Sequence, residues 1–348
     1  MRVLLGIQAT GNGHISRCHA LADAFQQVGI EADYLVSGRP REALFDMQRF
    51  AGFQYRHGLS FQVQQGRVSL TQTLRQNPWR QFWQDVNRLD LDAYDAILTD
   101  FEPVTAWAAK RQGRAAIGIG RQYAFFNDIA GVNMGPLQKL ITRRFAPSAK
   151  ALGMHWTAAN EHVLPPIIHH RQLASSSAAN NSHYLVYLPF ESLTAIQQLL
   201  QAFPLQRFHV FHPAAKRCSD GHIEYFPPSR QGFAEHFAGA RGIIANAGFE
   251  TSCEALASGK RLLVRPLAGQ FEQQVNAQLL QRYGFAEVMP QLSQQALAQW
   301  LVASNSIRIS WPNVALAVAE WLLAGQRQSV AQLASELWGK MEQQAIAA

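Results

Sequence analysis

Short apolar runs alternate with amphipathic stretches along most of the chain. VLLGI leads into a helical pattern from His14 to Val28, ADYLVS into a helix near Arg41 to Phe50, and AILTD into one around Ala106 to Gln112, before AAIGIG. This rhythm predicts βαβ units on a parallel sheet. It breaks at HVLPPIIHHRQLASSSAANNSH, where prolines give way to Ser, Ala and Asn, and that composition marks a boundary. The alternation then restarts. YLVYLPF, the helix ESLTAIQQLLQAF, FHVFHP, a helix around Gly232 to Ala240, GIIAN, a helix from Thr251 and RLLVRPL describe a second parallel-sheet domain. The expected organisation is an α/β chain with an N-terminal domain at 1–163, a linker at 164–182, a second domain at 183–310 and a helical tail at 311–348. The tail helices, VALAVAEWLLAG and SVAQLASELWGKM, are read as packing elements, with the first domain as the surface they return to.

One stretch departs from the rhythm. LTQTLRQNPWRQFWQDVNRL places Trp79, Phe82, Trp83 and Val86 at helical spacing, which suits a core-facing stripe or the wall of an acceptor site.

Length and composition narrow the field. A chain of 348 residues is too long for one ordinary core and suits two, with a cleft between them. No apolar run approaches the roughly 20 residues of a bilayer span, and MRVLLGIQAT turns polar too early for a signal peptide. The cysteines, Cys18, Cys218 and Cys253, are odd in number and lack ligand spacing, so neither a disulfide framework nor a zinc site is expected, and a cytoplasmic setting fits. The net charge of +7 is dispersed rather than clustered, which favours small anionic ligands over nucleic acid.

Two glycine-rich turns carry the chemistry. In GIIANAGFETSCEALASGKRLLVRPLAGQFEQQVNAQLL, a buried strand runs into Asn246, Ala247 and Gly248, then Phe249 and a helix with Thr251 and Ser252 in its first turn. Small residues at a helix N-terminus let backbone N–H groups and hydroxyls hold a diphosphate. Glu254 is placed to bind a sugar hydroxyl, or else simply favours the helix dipole. Glu272 and Gln273 combine a carboxylate with an amide, a suitable clamp for vicinal hydroxyls.

This passage resembles the donor-binding signature of inverting GT-B glycosyltransferases, a group that includes the UDP-glucuronosyl and plant glucosyltransferases and the N-acetylglucosaminyltransferase of peptidoglycan assembly. It is most similar to a less characterised bacterial and archaeal branch. Gly248, Thr251, Glu254, Gln273 and Asn276 fall at the family positions. Asn246 departs, because the family has a His or Arg there and an amide brings no charge. The resemblance implies two Rossmann-like domains facing across a cleft. It also implies that Thr251 and nearby N–H groups hold the phosphates, Glu254 the ribose, and Glu272 with Gln273 the transferred sugar. The donor would be a nucleotide diphosphate sugar, UDP-linked and of hexosyl or N-acetylhexosaminyl type, used without a metal or other cofactor. The acceptor would be a glycan, a lipid-linked molecule or a small molecule.

The opening turn fits the same family. Gly13 and His14 match its Gly-His pair, and the resemblance implies that His14 is the general base, oriented by Asp100 at the end of AILTDFEP. The chemistry agrees, because an acceptor hydroxyl must lose a proton as it attacks the sugar, and a carboxylate would fix the imidazole tautomer. Gly11, Asn12 and Gly13 would clear room beside it. The structural alternative makes His14 an inert helix-start residue and Asp100 a cap for the helix after Pro103.

Other signals are weaker. GNGH lacks the third glycine of a dinucleotide fingerprint, and no P-loop occurs. Asp90 and Asp92 read as a polar turn, and His169 with His170 as hinge residues. Phe226, with Tyr225 and Phe233, offers a surface for a nucleotide base or a piece of core. GPLQKLITRRFAP sets Leu137, Ile141 and Phe145 among Lys139, Arg143 and Arg144, as in a helix that touches anionic membrane or in a solvated face. The rival functions are a non-hydrolysing sugar-nucleotide epimerase and a sugar-nucleotide-binding protein that has lost catalysis.

Overall fold

The computed structural model describes residues 1–44, 46–60, 63–64, 67–68, 75–169, 182–303 and 306–347. Residues 170–181, which include His170 and most of the expected linker, lie outside the described residues. The chain forms two compact units, one comprising Met1–Phe61, Thr71–His169 and Ser310–Ala348, the other Gln62–Leu70 and His170–Ile309.

The strands in chain order are β1 (Arg2–Gln8), β2 (Glu31–Ser37), β3 (Gln54–Tyr55), β4 (Val63–Gln64), β5 (Arg67–Val68), β6 (Ala96–Asp100), β7 (Ala116–Gly120), β8 (Lys150–Met154), β9 (Val163–Leu164), β10 (His183–Tyr187), β11 (Phe208–Phe211), β12 (Cys218–Asp220), β13 (Ile223–Phe226), β14 (Ala240–Asn246), β15 (Arg261–Arg265) and β16 (Glu287–Val288). β4 and β5 pair as a small antiparallel hairpin.

The first unit holds a parallel sheet of order β3-β2-β1-β6-β7-β8-β9. The chain winds outward from β1 on one side and returns to β6 on the other, so the topological switch point lies between β1 and β6. Ligands of open α/β sheets bind beyond the carboxyl ends of the strands at such a point. Helix α1 (Asn12–Gln27) follows β1, α2 (Trp79–Arg88) precedes β6, and α3 (Pro103–Arg111) follows it. Every residue of β6 is buried, as expected of a strand covered on both faces. The core beneath α2 and α3 gathers Leu4, Leu35, Phe82, Val86, Ile97 and Val104. The aromatic stripe of α2 therefore divides, with Phe82 and Val86 in this core and Trp79 and Trp83 at the surface.

Where one helix was expected near Arg41 to Phe50, two single 3-10 turns form instead, Arg41–Ala43 and Gln48–Phe50. Asp46 lies between them with a φ of 57°, a left-handed conformation that ends helical propagation. The backbone N–H of Asp92 bonds the Asp90 carboxylate at 2.9 Å, a local polar turn ahead of β6.

After β7 come a short α4 (Arg121–Ala124) and α5 (Pro136–Phe145). No residue of α5 is buried, and Leu137, Leu140 and Ile141 are exposed. Phe145 turns away from that stripe and stacks on Phe101 at 5.0 Å. Lys139 pairs with Asp128 at 2.8 Å and Arg143 donates to the Phe126 carbonyl, so two of the basic groups around the stripe are bound to the protein itself.

The second unit repeats the plan in the order β12-β13-β11-β10-β14-β15-β16, parallel except for the antiparallel β12. Its switch point lies between β10 and β14. Its helices are α6 (Leu193–Gln201), α7 (Arg230–Ala238), α8 (Phe249–Ala257), α9 (Phe271–Arg282) and α10 (Gln294–Val302). Tyr184, Val186, Leu199, Phe208, Ile244 and Trp300 form its core. The last helices, α11 (Val314–Leu323) and α12 (Val330–Ala347), belong to the first unit. There the Trp338 indole donates to the Val163 carbonyl at 2.8 Å, and Lys150 reaches Gln326 at 2.8 Å. Among the described residues no helix is long and apolar enough to cross a membrane.

Candidate functional site

In the first unit, β1 and β6 lie side by side with Ile7 opposite Asp100. The turn after β1 therefore delivers the start of α1 next to the carboxyl end of β6. Helix α1 begins two residues ahead of the expected His14, at Asn12, so Asn12 and Gly13 are its first helical residues rather than part of a loop. Asn12 accepts a hydrogen bond from Arg39 at 3.0 Å. Gly11 is the N-cap, with an ordinary extended backbone, and a Cβ there would only touch the His14 ring at 3.7 Å. Its missing side chain leaves space beside that ring.

His14 Nδ1 lies 2.9 Å from Asp100 Oδ1, and the His14 side chain keeps 13% exposure while Asp100 is fully buried. A third group completes the cluster. Arg17, one turn along α1 and also buried, donates from Nη2 to Asp100 Oδ1 at 2.5 Å and from Nε to Oδ2 at 3.2 Å. The same Nη2 stands 3.1 Å from His14 Nδ1. Cys18 Sγ donates to Asp100 Oδ2 at 3.2 Å. Burial pushes the Asp100 carboxyl up, but the charge of Arg17, then His14 with its hydrogen bond, more than offsets this and holds it below its ordinary value. Asp100 is thus a carboxylate. With the His14 proton on Nδ1, Asp100 accepts it and the lone pair of the ring lies on Nε2.

Asp100 is not the cap of the following helix. Glu102 fills that role, accepting from the N–H groups of Val104 at 2.8 Å and Thr105 at 2.6 Å and from the Ser37 hydroxyl at 2.6 Å. Between the two carboxylates, Phe101 has a φ of 55°, a conformation costly for a bulky residue. That twist sends Asp100 toward α1 and Glu102 toward α3. Gly120, at the end of β7, closes the cluster from the far side. Its φ of 139° and the 3.0 Å from a Cβ there to both Arg17 Nη2 and Asp100 Oδ1 leave room for no side chain.

In the second unit, β14 ends at Asn246 and α8 starts at Phe249, two residues ahead of the expected Thr251, with Gly248 as its N-cap. The first N–H groups of a helix have no acceptor within it, and Gly248 offers no side-chain oxygen to take them. Phe249, Glu250 and Thr251 are these first-turn residues, and Thr251 is half-buried. Glu254 falls in the second turn, not the first, and is half-buried. Glu272 lies in the first turn of α9, also half-buried.

Several expected ligand groups are bound elsewhere. The Ser252 hydroxyl donates to the Gly248 carbonyl at 2.7 Å, the usual back-bond of a serine inside a helix, so its proton is not directed at an anion. Asn246 Nδ2 donates one of its two N–H bonds to the Arg265 carbonyl at 3.0 Å, and its buried Oδ1 is unpaired. Gln273 Oε1 accepts from the Leu267 N–H at 2.9 Å and pins the turn before α9. Asn276 Nδ2, fully buried, donates to the Ala247 carbonyl at 3.1 Å and ties α9 to the glycine turn. Phe226 is buried and stacked at 5.0 Å on Phe211 with His236 at 4.3 Å, so it serves the core instead of presenting an open face.

A cation absent from the sequence reading stands here. Arg265, at the end of β15 and in register with Asn246, pairs with Glu191 beyond β10 at 3.1 Å. A basic residue closing a strand beside the glycine turn is its only sequence trace. Arg17 was hidden for a similar reason, since a basic residue on a helix normally faces solvent. His169 does not stand apart as a ligand, because its Nε2 meets Asp23 of α1 at 3.1 Å.

The fold and the comparisons agree on the class. A family model described as glycosyl transferase family 1 matches residues 1–304, and the chain belongs to that family. No curated protein sequence matches it. Among solved structures the chain is similar to LpCGTa in complex with UDP, at 13% identity over 98% of this chain and 99% of that one, with a TM-score of 0.58. It is also similar to the glycosyltransferase SsfS6 of Streptomyces sp. SF2575 complexed with thymidine diphosphate, at 15% identity over 96% and 98% of the two chains, TM-score 0.55. A third is Arabidopsis thaliana UGT89C1 complexed with quercetin, at 14% identity over 98% and 99%, TM-score 0.58. The architecture is therefore GT-B, with two Rossmann-like domains, and the protein is a glycosyltransferase.

Proposed function

We propose that the protein transfers a hexosyl or N-acetylhexosaminyl group from a nucleotide diphosphate sugar to an acceptor hydroxyl with inversion at the anomeric carbon. The observation that carries this reading is the His14–Asp100 contact at the switch point of the first sheet. His14 Nε2 takes the acceptor proton while the acceptor oxygen attacks C1. The bond from C1 to the phosphate oxygen breaks in the same displacement, and the nucleoside diphosphate leaves. Asp100 holds the Nδ1 proton and stabilises the imidazolium. Such a base contributes about 10²- to 10⁴-fold.

The donor belongs to the second unit. The leaving diphosphate rests on the first-turn N–H groups of α8 with the Thr251 hydroxyl, and Arg265 supplies the positive charge that Asn246 lacks. Glu254 and Glu272 take sugar hydroxyls, while Gln273 and Asn276 hold the turn that presents them. UDP and thymidine diphosphate in structures of the same fold support a nucleoside diphosphate without choosing the base.

The test is turnover of purified protein with a panel of UDP- and TDP-sugars and hydroxyl acceptors, together with His14→Ala. We expect the variant to bind donor as wild type does and to lose transfer. Unchanged turnover would remove His14 from the reaction. Donor consumed without acceptor would indicate an epimerase, and donor bound without turnover in wild type a binding protein.

A further inference from the structure

Three histidines that no part of the transfer reaction uses meet in the second unit. His183 opens β10, His209 lies in β11, and His236 lies near the end of α7. They sit at the amino ends of these strands, whereas the glycine turn follows the carboxyl end of β14. Each ring can bring one nitrogen within 4.8 Å of the other two. Nothing in the spacing reveals the trio, because the three residues come from separate elements far apart in the chain.

We propose that His183, His209 and His236 form a binding site for a divalent transition metal of the zinc class, distinct from the glycosyl-transfer site. The geometry carries the case. His209 Nδ1 and His236 Nδ1 face each other at 2.7 Å. Only one of those nitrogens can hold the proton between them, so at least one lone pair already points into the cluster. A metal ion replaces that proton: His209 and His236 open to the roughly 3.3 Å that separates two ligand nitrogens each about 2.0–2.1 Å from tetrahedral zinc, and His183 closes in from within 4.8 Å to complete the set.

The surroundings match those of metal-bound imidazoles, which commonly donate their second nitrogen to a carbonyl or carboxylate. His183 Nε2 donates to the His236 carbonyl at 2.8 Å, which fixes that tautomer. His209 Nε2 lies 3.5 Å from Glu224 Oε1. The His183 and His209 rings stack with centroids 3.6 Å apart and within 17° of parallel, so their in-plane lone pairs converge on one ion once His183 turns off the face of His209. Metal ligands must be neutral imidazoles; burial, together with the neighbouring rings, lowers His183 to about 4 and His209 to about 3, and burial lowers His236 as well. His209 and His236 are half-buried, which leaves an ion a path from solvent. An all-imidazole set suits zinc, copper or nickel rather than magnesium or calcium.

The site is structural. It joins β10, β11 and α7 and leaves the His14 chemistry untouched, so its failure and that of the proposed function are separable.

The test uses the full chain, stripped with a chelator and titrated with zinc chloride in a calorimeter and with cobalt(II) by visible absorption. We expect stoichiometric zinc, a higher Tm with zinc, and a tetrahedral cobalt(II) spectrum. His209→Phe and His236→Phe, which keep a ring in each place, should abolish all three. Glu224→Gln, a surface change that leaves the fold intact, should weaken zinc by about tenfold. Absence of zinc binding, or zinc binding unchanged in both His variants, would overturn the site. Should the Phe variants fail to fold, an octahedral cobalt(II) spectrum, or zinc affinity unmoved in Glu224→Gln, would do so as well.

Discussion

Arg17 grips both oxygens of Asp100, at 2.5 and 3.2 Å, from within the same helix that carries His14. A fully buried carboxylate would otherwise be driven to its neutral form, and a neutral Asp100 would no longer stabilise an imidazolium. Arg17 keeps the pair usable.

Arg17→Met should therefore cost roughly 3–5 kcal/mol, because it strands a buried charge. The pH dependence tells this apart from lost packing. In the wild type the lowered Asp100 value contributes stability that is complete above about pH 4 and lost as pH falls through the folded-state value. In the variant burial is opposed only by His14 and its hydrogen bond, so the carboxyl value rises, and the penalty is small at low pH and grows as pH rises. Thermal denaturation should show a smaller gap between variant and wild type at acid pH than at neutral pH; a gap independent of pH would contradict the account.

Asp100→Asn keeps the shape and removes the charge. We expect kcat to fall by up to about 10⁴-fold through loss of tautomer control, with donor affinity unaltered because the proposed donor groups lie in the other unit. Single-turnover kinetics with equilibrium titration of nucleotide would check both halves. Weakened donor binding of the same size as the kinetic loss would count against an orienting role.

Gly120→Ala introduces a Cβ 3.0 Å from Arg17 Nη2 and Asp100 Oδ1 at a φ of 139°. The backbone strain alone should cost about 1–3 kcal/mol, and displacement of the carboxylate should lower kcat further. A variant as stable and as active as wild type would show that the cluster tolerates rearrangement.

Arg265→Met should weaken nucleoside diphosphate binding roughly 10- to 100-fold, the loss of a charged hydrogen bond worth about 1.5–3 kcal/mol. Glu191→Gln should not weaken it, since that change releases Arg265 from its partner 3.1 Å away. Calorimetric titration with UDP and TDP separates the two. Equal affinity in Arg265→Met and wild type would leave the diphosphate to the helix end alone.

Much of this protein follows from local pattern. The two sheets arise from buried strands alternating with amphipathic helices, and periodicity is a property of neighbouring residues, so GIIAN and AILTD can be read as strands directly. The turns at Gly11 and Gly248 are legible because a glycine before a polar helix start has few other uses. What the sequence does not contain is how each polar side chain spends its hydrogen bonds. Ser252 and Thr251 look equivalent, yet Ser252 bonds Gly248. Asp100 and Glu102 both precede a helix, but only Glu102 caps it, because the positive φ of Phe101 separates them. Arg17, Arg265 and the trio of His183, His209 and His236 have partners brought near only by the winding of the sheets. The sequence determined most of the elements and the two turns, though not the break at Asp46. The tertiary structure decided which charges are buried together and which donors remain for a ligand, because those partners lie on separate elements brought together only by the fold.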